Sequence, residues 1–244
     1  MSLILVHSPK GGVGSTFITA QLALHLAQRG REVAAIDFTY QESLKLHFGL
    51  RPVQTITDMA DVNVDALVVS GVALMNGHLS GRDPAFRHGL KSGDVPSFSQ
   101  NRITIADISS GDRELKDLLL PHAVLHICVL VPGPAALAVL PRIQLGTPTI
   151  ALPKTVFVLN QIDDRLRLSR DTHSFIRDLF KDKLIGTVRR DEAVNEALAM
   201  FEPVARYAPS SVALPDLMRL TDAVEARCAL PDIDANTGAL RINS

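Results

Sequence analysis

The sequence predicts an α/β fold, a three-layer, doubly wound and mainly parallel sheet with helices on both faces. Two observations predict it. Apolar runs of strand length recur along the chain with helical patterns between them, as expected for strands buried on both sides. A glycine-rich turn, residues 10–16, joins the first such run directly to the first helical pattern. Composition agrees, since 46% of the 244 residues are hydrophobic and 21% charged, ample material for a buried sheet. Nothing marks a linker long enough to separate two cores, so residues 1–244 are read as one domain.

The elements follow in chain order. Residues 3–6 form an apolar run with no basic leader before it and far too short to cross a bilayer, so it reads as a buried strand. Residues 16–29 place Ile18, Leu22 and Leu26 on one helical face, with Arg29 in the last turn and Gly30 as the C′ residue. Strands are predicted at 33–36, 103–106, 124–131 and 155–159, and later helices at 169–180, 191–200 and 212–227. Residues 77–96 hold Gly77, Gly81, Pro84, Gly89, Gly93 and Pro96, and are read as a long irregular connection. Residues 231–244 are polar and lack a strong period, which predicts a flexible tail.

Several function classes lose support on composition. With 25 Lys+Arg against 26 Asp+Glu the net charge is −1, and no overall field draws the molecule onto a nucleic acid or an anionic membrane. Arg165, Arg167 and Arg170 could align as a local patch, but they are read as a solvated helix start. Aromatic content of 5% leaves few platforms for stacking bases. Cys128 and Cys228 make neither a disulfide framework nor a metal-ligand spacing, which fits a reducing, cytoplasmic setting. The eight histidines show no metal-binding pairing.

Chemistry concentrates in the turn Lys10-Gly11-Gly12-Val13-Gly14-Ser15-Thr16. A glycine-rich bend before a helix aims backbone N–H groups at one point, and the helix N-terminus adds partial positive charge there. Gly11, Gly12 and Gly14 permit close approach of a polyphosphate, and the Thr16 hydroxyl is placed to ligate Mg2+. Against the pattern G-x-x-x-x-G-K-[ST], residues 9–16 depart twice, with Pro9 at the first glycine and Ser15 at the lysine. The nearby cation is Lys10. Three further sites end predicted strands: Asp37, Asp107 in Ile105-Ala106-Asp107-Ile108-Ser109-Ser110-Gly111, and the trio Asn160, Gln161 and Asp163. Each has a plain structural alternative. The aspartates can cap a following turn, and the Asn160 amide can satisfy loop backbone as readily as it can match a base edge.

The loop resembles the deviant Walker A motif, K-G-G-x-G-K-[ST], of the MinD, ParA and nitrogenase-iron-protein group of P-loop NTPases. That resemblance implies ATP and Mg2+ as cofactors, held by Gly11, Gly12, Val13, Gly14, Ser15, Thr16 and Phe17. It implies that Lys10 reaches the phosphates bound by a partner subunit, so that ATP holds a homodimer together. Asp37 takes the place of the switch I carboxylate and Asp107 that of the Walker B aspartate, both meeting the Mg2+ shell together with Thr16. Lys10 and Asp37 are the catalytic candidates, and Asn160, Gln161 and Asp163 fall where the adenine pocket is expected. Two departures imply slow or absent hydrolysis: Ser15 replaces the second lysine, and Thr39 replaces the acid that orients water. Loss of one well-placed charge costs about 3–4 kcal/mol of barrier.

Within the group, the segments Leu159-Asn160-Gln161-Ile162-Asp163, Leu168-Ser169-Arg170-Asp171, Arg190-Asp191-Glu192-Ala193-Val194-Asn195-Glu196-Ala197-Leu198 and Pro203-Val204-Ala205-Arg206-Tyr207-Ala208-Pro209 resemble the BcsQ (YhjQ) branch of cellulose-synthase operons. That implies a regulatory or scaffold protein of bacterial cellulose biosynthesis and secretion. Its partners would be the small operon protein BcsR and the cellulose synthase assembly, with the inner membrane reached only through them. Ser15 is shared with the CpaE/TadZ pilus-localisation branch and does not decide between them. A cycling ATPase like ParA or CpaE/TadZ, positioning DNA or a secretion machine, is the alternative.

Overall fold

The computed structural model describes residues 2–61, 64–93, 98, 102–134 and 154–228. Among the described residues eight strands form one sheet: β1 Ser2–His7, β2 Val33–Asp37, β3 Leu67–Val69, β4 Val72–Asn76, β5 Ile103–Ile108, β6 Ala123–Leu130, β7 Thr155–Ile162 and β8 Leu184–Arg189. Their order is β3-β4-β2-β5-β1-β6-β7-β8. Every neighbouring pair is parallel except β3 with β4. The expected doubly wound sheet is therefore present. β1, β2 and β5 are buried at every position, which is why they read in sequence as continuous apolar runs rather than as alternation. β1 lies between β5 and β6, and the order of connection reverses about it. The crevice at the carboxyl end of such a strand is where open α/β sheets place ligands.

Helices cover both faces. On one face α1 Ser15–Gln28 and α8 Ala213–Glu225 join the 3₁₀ turn Ser43–Phe48, burying Ile18, Leu22, Leu26, Leu44, Leu217 and Leu220 against Ile4 and Val6. α1 is enclosed so completely that ten consecutive residues, Phe17 to Leu26, are buried. It stops where predicted, with Gly30 at φ 82. On the other face α4 Arg113–Leu119 sets Leu115 and Leu119 on Leu3, Leu5 and Ile36. Also covering the sheet, α5 Arg167–Phe180 stacks Phe180 on Phe157 with ring centroids 3.7 Å apart.

One expectation is corrected. Residues 77–96 are not an irregular connection, because α2 His78–Arg82 and α3 Pro84–Ser92 occupy most of the span. The glycines and Pro84 that suggested a loop serve the helices. Asp83 caps α3 by accepting from the Ala85 N–H, Pro84 sits in its first turn, and Gly93 at φ 81 closes it. Gly77 and Gly81 mark close packing, since a Cβ at 77 would lie 2.7 Å from Ile36 and one at 81 would lie 2.9 Å from Leu115. The flexible tail expected at 231–244 lies outside the described residues. The predicted helix 191–200 is the shorter α6 Ala193–Ala199, followed by α7 Val204–Tyr207. Among the described residues no helix is long and apolar enough to cross a membrane.

Candidate functional site

The turn after β1 is tied to the end of β7 by side-chain amides. Asn160, only 3% exposed, donates through Nδ2 to the Val13 carbonyl at 2.8 Å, and Gln161 Nε2 approaches the Gly12 carbonyl at 3.5 Å. Gly12 and Gly14 have φ of 77° and 84°, so both occupy the left-handed region that glycine tolerates best. With those carbonyls held, the N–H groups of Gly12, Val13 and Gly14 take no partner among the described residues. A Cβ at Gly12 would meet nothing within 4 Å. The bend thus keeps unpaired amides beside open space at a helix N-terminus, the arrangement that binds phosphate. Asn160 takes its structural role here, because its amide nitrogen serves loop backbone.

Beneath the turn sit two buried carboxylates. β2 and β5 pair in a register that sets Asp37 beside Asp107, and both are 0% exposed. Thr16 Oγ1 donates to Asp107 Oδ2 at 2.6 Å, while Asp107 Oδ1 is buried without a partner among the described residues. Burial, and secondarily the neighbouring Asp37, push the Asp107 acid up to about 7. Asp37 is raised by burial too, although three donors oppose the shift. Its Oδ1 accepts from the Thr39 N–H and hydroxyl at 2.8 and 2.6 Å, and its Oδ2 from the Leu44 N–H at 2.9 Å.

This donor set fits a hard divalent cation. An orphaned carboxylate oxygen of Asp107 and the Thr16 hydroxyl are oxygen ligands of the kind Mg2+ takes, with water and phosphate completing its shell. Thr16 and Asp107 would hold the ion, which would supply positive charge against phosphate oxygens. Asp37, expected in the same shell, has both oxygens engaged by the turn that follows β2. Among the described residues no group of three or more His, Cys, Asp and Glu is arranged to hold a metal by itself.

A cavity of about 400 Å³ continues from the turn, bordered by Gly12, Gly14, Ser15, Thr16, Phe17, Asn160 and Gln161. Its far side, which the sequence reading left out of the site, is made by His47, Arg190, Asn195 and Leu198. The sequence signal on that side is the Arg190–Leu198 segment, which carries a resemblance and a helical pattern. His47 lies 5.8 Å from Phe17, ring to ring, and burial depresses its imidazole to about 4. Val13 is 3% exposed and contributes its carbonyl rather than its side chain.

Asp163 stands elsewhere, and Lys10, expected to act on a partner's nucleotide, does not line this cavity. Asp163 does not line the cavity; it closes its own turn, accepting from the Arg165 N–H at 3.1 Å and pairing with the guanidinium at 2.8 and 2.7 Å. Those contacts lower its acid to about 2. Lys10 is exposed, and its ammonium has no partner among the described residues. Arg167 pairs with Asp171 at 3.4 Å, and Arg170 donates to the Asp164 carbonyl at 2.6 Å.

Comparison with known proteins agrees with this geometry. The CobQ/CobB/MinD/ParA nucleotide binding domain matches residues 4–204. An uncharacterized ATP-binding protein of Methanocaldococcus jannaschii is 27% identical, covering 91% of this chain and 87% of its own. Among solved structures, the cell division ATPase MinD of Pyrococcus furiosus superposes with a TM-score of 0.72 at 20% identity, covering 93% of this chain and 99% of that one. A ParA family ATPase from Chlorobium tepidum gives 0.70 at 19% identity, covering 90% and 97%. MinD of Pyrococcus horikoshii, solved with Mg-ADP, gives 0.69 at 20%, covering 92% and 96%. At these identities the structures speak to fold, whereas the sequence match spans most of the chain and includes the turn, both carboxylates and Asn160. The chain therefore belongs to the CobQ/CobB/MinD/ParA nucleotide-binding domain family.

Proposed function

We propose that the protein is a nucleotide-gated scaffold, which binds ATP with Mg2+, dimerises around it and hydrolyses it slowly or not at all. The observation that supports binding is the Thr16–Asp107 hydrogen bond beneath a bend whose amides, like Asp107 Oδ1, have no partner among the described residues. Slow turnover is supported by Ser15 in the lysine position and by Thr39, whose hydroxyl donates to Asp37. A hydroxyl so engaged is a poor base for water at neutral pH. Lys10, exposed and without a partner among the described residues, is placed to meet the phosphates held by a second subunit. Sedimentation with and without Mg·ATP tests the reading, together with phosphate release. ATP-dependent dimers with little release support it, and a monomer in both conditions overturns it.

The biological setting we infer is bacterial cellulose biosynthesis and secretion, with BcsR and the cellulose synthase assembly as partners at the inner membrane. Support comes from the resemblance carried by residues 159–171, 190–198 and 203–209. Co-purification of the tagged chain with BcsR and the synthase checks it; recovery of neither contradicts it. The alternative, a ParA- or CpaE/TadZ-like positioning ATPase, draws on the shared fold. Against its DNA-bound form, Arg165, Arg167 and Arg170, which could align as a basic patch, are engaged within α5 and its approach. Rapid hydrolysis stimulated by DNA would favour it.

A further inference from the structure

We propose that the chain has a second small-molecule site, back to back with the nucleotide cavity, that takes an organic anion of about nucleotide size. A cavity of about 720 Å³ opens between α1, the end of the Ser43–Phe48 turn and the loop joining α6 to α7. Its volume falls within the range of small-molecule sites, and none of its lining residues borders the nucleotide cavity.

The chemistry of the lining selects the ligand. Gln21 is 2% exposed, yet its amide, at the cavity wall, forms no hydrogen bond among the described residues. An amide that lines a cavity with no protein partner is open to a group supplied from outside. Arg51 and Arg206 line the cavity, are exposed and have no carboxylate partner among the described residues, and a guanidinium takes a carboxylate or phosphate bidentately. Phe48, 4% exposed, offers an apolar wall. Glu202 also lines the space, so the ligand presents a hydrogen-bond donor on that side.

The wall is built at some cost in backbone freedom. Phe201, a bulky residue, holds φ 54, and its carbonyl packs 3.2 Å from where a Cβ would stand on Gly49, itself at φ 84. Positive φ at a large side chain persists where surroundings enforce it, commonly at functional sites. The two cavities are also joined through nearby residues of the same segments. His47 faces one and Phe48 the other, Leu198 one and Met200 the other, and Phe17 and Gln21 lie one turn apart on α1. A ligand in the second cavity is thereby placed to alter nucleotide affinity.

The test is thermal unfolding of the full chain with citrate, ribose 5-phosphate or uridine monophosphate, run without nucleotide and again saturated with Mg·ADP. At least one probe at about ten times its Kd should raise Tm by about 3–6 °C, in the wild type and in Thr16→Ala alike. The rise should vanish in Gln21→Leu and in the double variant Arg51→Ala/Arg206→Ala, with the Mg·ADP response of the latter kept. The proposal is overturned if none of the three probes shifts the wild type at millimolar concentration, or if the shift survives in the arginine double variant. It is equally overturned if the probe's apparent Kd rises in proportion to Mg·ADP concentration without levelling off, as for one shared site, or if only an acidic peptide produces a shift. Should the nucleotide reading itself fail, the Mg·ADP arm falls silent while the nucleotide-free arm still decides the second site.

Discussion

Gly14 and Asn160 depend on each other across the sheet: a Cβ at position 14 would lie 2.5 Å from Asn160 Nδ2. The same amide nitrogen donates to the Val13 carbonyl, so the phosphate bend keeps its shape only while residue 14 has no side chain. Gly14→Ala meets both the steric conflict and an unfavourable φ of 84°. It should destabilise the fold by more than about 1 kcal/mol and weaken Mg·ATP binding at least tenfold. Urea unfolding with a binding titration checks both, and wild-type values for the variant would contradict the role given to this pair.

Asp107 should be a residue whose removal stabilises the empty protein. Its carboxyl is fully buried with its acid pushed up to about 7, so near neutrality the charged form is costly in the folded state. Asp107→Asn should raise stability by about 1–3 kcal/mol without ligand while abolishing the Mg2+-dependent part of ATP binding. A variant less stable than wild type and still dependent on Mg2+ would contradict this.

Acid should unfold the protein earlier than its carboxylates alone would predict. His7 and His126 face the same side of the sheet with ring centroids 6.0 Å apart, and burial foremost depresses them to about 4 and about 3 from 6.5. The unfolded chain therefore binds more protons below 6.5, and stability falls as pH drops from there toward the folded values. Between pH 6.5 and about pH 4.5 the pair should cost the fold about 4 kcal/mol. Chemical denaturation across that range should show His126→Leu with a shallower slope than wild type; identical slopes would refute the assignment.

Much of this was legible because the residues involved have one dominant duty. The runs at β1, β2, β5, β6 and β7 are apolar because both sides are covered, and the Lys10–Thr16 turn announces itself through its glycines. Residues with two uses were misread. Gly77 and Gly81 look like loop punctuation in sequence but are contact points against Ile36, Phe38 and Leu115. β8 was missed because Gly186 breaks its apolar run, for a reason visible only in three dimensions: a Cβ there would lie 2.8 Å from Leu220. Asp163 matched its expected position in the chain, yet the adjacent Arg165 claims it. His47 could not be assigned to the site at all, since only the packing of the Ser43–Phe48 turn on α1 brings it to Phe17.

Turnover should be recoverable. If Ser15 and Thr39 are what limit hydrolysis, Ser15→Lys combined with Thr39→Asp should raise phosphate release by about 10²-fold or more. Lys10→Ala should leave a binding-competent monomer. Steady-state release and sedimentation in Mg·ATP read these out; an unchanged rate in the first variant, or persistent dimers in the second, would require other groups to be responsible.

The most direct measurement is a calorimetric titration of Mg·ATP into the purified, nucleotide-free chain and into Thr16→Ala. Saturable heat in the wild type, lost in the variant, is the outcome expected if the amide bend and the Thr16–Asp107 pair together grip the nucleotide. No heat in the wild type at high protein concentration would contradict the account.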